Sequence, residues 1–116
     1  MVKCTAGADD LERLSQALTV SAVAAASGVP VSLWLTGDSV LLAVPGHAGT
    51  LDVPSYATPF DDLIETVRSL GTITVCTQCV ARRGLTEADL LPDVRVAGAT
   101  AFVEESLATD AQALVY

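Results

Sequence analysis

The chain has 116 residues, of which 51% are hydrophobic and 17% charged, and a formal net charge of −8 at pH 7. That length holds one domain, residues 1–116, with a single layered core. The acidic balance, with no basic stripe beyond Arg82-Arg83, argues against direct nucleic-acid binding, and a mean hydropathy of +0.50 predicts that part of the surface faces another subunit.

Met1 to Thr5 reads as a short first strand, followed by the turn Ala6-Gly7-Ala8. Asp9 or Asp10 caps a helix whose apolar positions Leu11, Leu14, Leu18 and Ala22 recur at helical spacing, and Gly28 ends it. Val29 to Leu35 is nearly unbroken in its apolar character, as in a strand buried on both faces, and Thr36-Gly37-Asp38 terminates it. A brief helix is predicted over Ser39 to Ala43. Val44 to Pro59, with Pro45, Gly46, Gly49, Pro54 and Pro59, then reads as an irregular loop of a length usually tied to function or an interface. Phe60 to Leu70 is a helix with Asp61 and Asp62 in its first turn and Gly71 after its last.

Gly71 to Val75 reads as a buried strand running into Cys76, and Val80 to Gly84 as one or two helical turns. Thr86-Glu87-Ala88-Asp89 has the form of a capping box, Val94 to Ala97 of a fourth strand, Thr100 to Ala108 of a helix and Ala111 to Tyr116 of a fifth strand. This alternation predicts an α/β fold: a three-layer α/β/α sandwich around a mostly parallel, five-stranded sheet.

Ala17 to Gly37 carries no charge, which raises the question of a membrane span or export signal. Gly28-Val29-Pro30 interrupts the run, and Asp9, Asp10 and Glu12 outweigh Lys3 and Arg13 before it. A cytoplasmic protein without a membrane segment is therefore expected. Three cysteines, an odd number, fit reduced thiols better than a disulfide framework.

Cys76-Thr77-Gln78-Cys79 stands where a strand meets a helix, and a thiol there sits against unpaired backbone N–H groups that favour thiolate. Cys76 is thus the candidate nucleophile. Cys79, one turn on, is either its resolving partner or a core residue, and Cys4 is expected to be structural. In parallel sheets ligands gather at the carboxyl ends of strands, here Thr5 to Gly7, Thr36 to Asp38, Cys76 and Gly98. Thr36 and Gly37 are therefore candidate substrate contacts. Arg83 follows Cys76 and Cys79 at i+7 and i+4, so it is a candidate for stabilising a thiolate or binding an anionic substrate; the alternative is a solvated charge at a helix C-terminus. Trp34 is assigned to core or interface, Glu104 and Glu105 to an exposed helix face, and His47 to a solvated loop. A zinc site would require Cys4, Cys76, Cys79 and His47 to converge, and a single CxxC is weak support for one, so neither metal nor cofactor is expected.

The stretch Thr74-Val-Cys76-Thr-Gln-Cys79-Val-Ala-Arg82-Arg83-Gly84-Leu85 resembles the DsrE/DsrF-like family of small sulfur-relay proteins. Val31-Ser-Leu-Trp-Leu-Thr36 after Gly28, and Val94-Arg-Val-Ala-Gly98 followed by Glu104-Glu105, add weaker matches. The resemblance implies a flavodoxin-like fold, a trimeric or hexameric ring, and a thiol that carries sulfane sulfur as a persulfide between donor and acceptor proteins. Cys79 departs from the relay pattern. It keeps open a CxxC dithiol redox protein, although no Trp precedes the pair and no Pro lies within it, and a non-catalytic oligomeric binding protein stands as a third reading.

Overall fold

The computed structural model of the protein describes all 116 residues. Five strands, β1 (Val2–Cys4), β2 (Ser32–Leu35), β3 (Thr72–Cys76), β4 (Arg95–Ala97) and β5 (Leu114–Val115), form one sheet in the order β4-β3-β2-β1-β5. Every pairing is parallel, which makes the expected "mostly parallel" sheet wholly so. Helices α1 (Leu11–Ala26), α2 (Phe60–Leu70), α3 (Thr77–Arg82) and α4 (Ala99–Ser106) connect them, together with 3-10 segments at Gly37–Ala43, Ala48–Thr50 and Glu87–Asp89.

The strand order decides which face each helix covers. From β1 to β4 the chain steps always in the same direction, so right-handed crossovers place α1, α2 and α3 on one face. The last step runs backwards from β4 to β5, beyond β1, and that reversal carries α4 to the opposite face.

Strand alternation then divides the side chains. Register pairs Val2 with Leu33 and Leu33 with Ile73, and Cys4 with Leu35 and Leu35 with Val75; all six are buried beneath α1 and α2. Leu14, Ala17, Leu18, Ala22 and Ala25 of α1 and Phe60, Leu63, Ile64 and Val67 of α2 close over them. The other face carries Lys3, Trp34, Thr74 and Arg95 in one register row, with Thr36, Cys76 and Ala97 two residues further along. Only α4 covers it, and no residue of α4 is fully buried. Phe102 meets the buried Trp34 edge-on at a centroid distance of 5.2 Å, and Glu105 accepts hydrogen bonds from Trp34 Nε1 (3.2 Å) and Arg95 (2.9 Å). Glu104 is exposed as expected, whereas Glu105 is half-buried because it fastens α4 to the sheet.

Element boundaries follow local chemistry. The Asp10 side chain accepts from the Arg13 amide and caps α1, while Asp9 accepts from Gly7 within the preceding turn. α2 occupies the predicted span, and a Cβ at Gly71 would lie 2.7 Å from the Val31 carbonyl oxygen, so only glycine permits that helix-to-strand approach. β2 begins at Ser32, not Val29, because Gly28 turns through φ +81° and Pro30 has no N–H to pair; Val29 is left 52% exposed. α3 starts at Thr77, directly after Cys76, three residues before the predicted turn. The Asp89 carboxylate accepts from the Thr86 amide at 2.8 Å and from its hydroxyl, which completes the expected cap. No helix is long and apolar enough to cross a membrane.

Candidate functional site

The loops leaving β3 and β4 turn to opposite faces of the sheet, α3 towards the apolar core and α4 towards the Trp34 side. In open parallel sheets that divergence leaves a crevice at the strand ends. Cys76, last residue of β3, pairs in register with Ala97, last of β4, and both line a cavity of about 90 Å³ with Lys3, Trp34, Thr36, Gly98, Ala99 and Phe102.

Cys76 is the N-cap of α3 and is half-buried, whereas Cys4 and Cys79 are buried; all three thiols are free. Burial works to raise the Cys76 pKa, but the amide and thiol of Cys79, the Gln78 amide and the Lys3 charge together favour the anion and bring it below the ordinary thiol value. The neutral thiol makes no formed capping hydrogen bond, so these groups act chiefly on the thiolate. Cys4 shows the opposite balance. Its burial dominates the acceptor and donor contacts around it and pushes the thiol up, leaving an inert side chain bonded to the Ala6 carbonyl at 3.4 Å.

The other candidates divide into those inside the cavity and those behind it. Thr36 lines it, its hydroxyl donating to the Cys4 carbonyl at 3.2 Å. Gly37 lies behind and donates its amide to Cys79 Sγ at 3.1 Å; its φ of +58°, and a Cβ position 3.0 Å from the Thr5 carbonyl oxygen, make glycine the fitting residue there. Arg83 donates to the Cys79 carbonyl at 3.2 Å and pairs with Asp38 at 3.5 Å. Asp38 also accepts from the Ala8 amide at 3.0 Å, so Arg83 and Asp38 join α3 to the loops after β1 and β2. Half-buried and paired, Arg83 is anchored next to the CxxC helix and does not line the cavity.

Lys3 was not anticipated as a site residue. Alternation alone places it opposite its buried neighbours Val2 and Cys4, but its arrival beside Cys76 depends on β1 and β3 flanking β2 in this register. Trp34, assigned to core or interface, is core in its burial and also walls the cavity. His47 is half-buried in the loop after β2 and does not line the cavity, and no group of three or more His, Cys, Asp or Glu side chains converges anywhere.

The crystal structure of the YchN protein from E. coli superposes on this chain with a TM-score of 0.76 at 19% sequence identity, covering 99% of this chain and 97% of that one. At that identity the likeness speaks to the fold. No curated protein matches the chain by sequence. The profile of the DsrE/DsrF-like family matches residues 1–113, nearly the whole length, and with this sheet order and a cysteine at the β3–α3 junction, the chain belongs to the DsrE/DsrF-like family.

Proposed function

We propose that the protein is a cytoplasmic sulfur carrier in which Cys76 accepts sulfane sulfur, holds it as a persulfide and passes it to an acceptor thiol. The observation that carries this reading is the Cys76 thiol itself: half-buried in a small cavity at a strand-end crevice, with its anion favoured by the Cys79 and Gln78 groups and by Lys3. The thiolate attacks the outer sulfur of a donor persulfide, a new S–S bond forms, and the donor thiolate leaves with the electron pair. Attack by an acceptor thiolate on the outer sulfur then returns Cys76. The partners are donor and acceptor thiol proteins and further copies of this chain in a trimer or hexamer. Thr36 contacts the incoming donor, and Gly37 and Arg83 hold the CxxC helix against the strand ends. Intact-mass measurement after incubation with a persulfide donor tests the reading: wild type should gain one sulfur and Cys76→Ser none. No gain in wild type would overturn it.

One observation favours a second reading. The Cys79 thiol, one helical turn after Cys76, is among the groups that favour the Cys76 anion, which supports Cys79 as a thiol that resolves a modified Cys76 into a disulfide. In that case Cys79→Ser should make the Cys76 persulfide persist, whereas wild type should lose two hydrogens in mass. Equal persistence in both proteins would leave Cys79 a structural acceptor for the Gly37 amide.

A further inference from the structure

Lys3 is the only lysine in the chain, and its position is an unusual one for a charge. It lies half-buried on β1, between β2 and the edge strand β5, with its ammonium 4.9 Å from the centroid of the Phe102 ring. No carboxylate lies within 4.0 Å of it; Arg13, Arg68, Arg83 and Arg95 all have acidic partners, and Arg82, which has none, is exposed and lies outside the cavity. The cavity it shares with Cys76 contains no acidic side chain. Gly98 and Ala99, the N-cap and first residue of α4, form part of the wall, and no side chain caps that helix end. A protein with a net charge of −8 therefore holds a half-buried cation without a carboxylate partner beside the Cys76 thiol. A cation–π contact alone does not require the lysine to share that cavity with Cys76.

We infer that Lys3 is a specificity-determining residue that selects small sulfane-sulfur anions of the hydropolysulfide type for direct reaction at Cys76. The inference rests on the sulfur-accepting role proposed above and names its substrate class. A cavity of about 90 Å³ has room for an ion of a few heavy atoms. Lys3 offsets the repulsion between the incoming anion and the Cys76 thiolate. With hydrodisulfide, the thiolate attacks the protonated sulfur and forms the Cys76 S–S bond. The donor S–S bond breaks, and its electron pair leaves on the other sulfur, which takes a proton from water and departs as hydrosulfide. No oxidant is needed.

The decisive experiment compares iodoacetate, a small anion, with iodoacetamide, its neutral counterpart, as alkylating agents of Cys76. Any change in thiolate fraction alters both rates alike and cancels in their ratio, so the ratio reports charge selection alone. Replacing Lys3 by Met keeps the length of the stem on Phe102 and removes the charge; the iodoacetate to iodoacetamide ratio should fall roughly three- to tenfold, as expected for losing one nearby cation. Lys3→Arg should restore it, and Lys3→Gln serves as a second neutral variant should Lys3→Met fold poorly. Sulfur gain from hydrodisulfide, followed by intact mass, should slow by a similar factor. An unchanged ratio in both neutral variants overturns the role of Lys3 whether or not Cys76 accepts sulfur. A reduced ratio with no sulfur gain in wild type retains anion selection at Cys76 and removes the carrier reading instead.

Discussion

The two thiols on β1 and β3 are driven in opposite directions by their surroundings, and both consequences are measurable. Cys76 sits on the face covered only by α4, with amides and Lys3 near its sulfur, so it should be alkylated near neutral pH well before the buried Cys4 and Cys79; faster labelling of Cys4 would place the reactive site elsewhere. The linkage signs differ as well. Cys76, with its folded pKa depressed, contributes stability that is present above the unfolded thiol pKa and lost as pH falls through the folded value. Cys4, with its folded pKa raised by burial, contributes stability that is present below the unfolded thiol pKa and lost as pH rises towards the folded value. Denaturant titrations of Cys4→Ala should therefore show a smaller decline in stability above the ordinary thiol range than wild type. A parallel decline in both proteins would mean that the Cys4 thiol is not held neutral by the fold.

Among the elements, α2 and α4 mark the extremes of attachment. Phe60, Leu63, Ile64 and Val67 bury one face of α2 against the sheet, and Phe60 is fully buried. Phe60→Ala should cost about 3–5 kcal/mol, read as a lowered denaturant midpoint. α4 is held by Phe102 against Trp34 and by the Glu105 bonds to Trp34 and Arg95, with none of its residues fully buried. Few buried contacts mean a low free energy of local opening. Amide exchange should accordingly be faster over residues 99–106 than over the interior of α1, and Phe102→Ala should accelerate it further while leaving α1 protection nearly unchanged. A uniform change across both helices would show that α4 opens only with the entire domain.

For the chain as one body, the asymmetry of the two layers bears on assembly. Val103 and Leu107 in and after α4, and Leu114 and Val115 on the edge strand β5, are 48–79% exposed, and Val23 on α1 is 60% exposed. Scattered apolar surface is ordinary, but Val103, Leu107, Leu114 and Val115 fall on the thinly covered layer and sheet edge of a chain with only 17% charged residues. Closed symmetric association is the economical way to bury such a surface. Light scattering at micromolar concentration should give at least a trimer, and Leu107→Asp should shift the mass downwards. A monomeric mass for wild type across that range would remove the oligomer from the proposal.

Hydrophobic periodicity and punctuation were enough to assign each strand and helix, because apolar spacing, Asp10, Gly28, Gly71 and the Cys76 junction are local features. The same local logic singled out Cys76, whose place at a strand end and a helix start is a local feature. Boundaries moved where backbone chemistry overrode apolar character, as at Val29 and Pro30. Tertiary structure alone decided which polar residues meet. Lys3 and Cys76 are 73 positions apart, and they share a cavity because β2 lies between their strands in one particular parallel register. Arg83, near Cys76 in helical spacing, is instead drawn to Asp38 at the end of β2. Pairing across a sheet is set by non-local burial of the apolar face, and that burial determines the opposite face only after the strands have found their order.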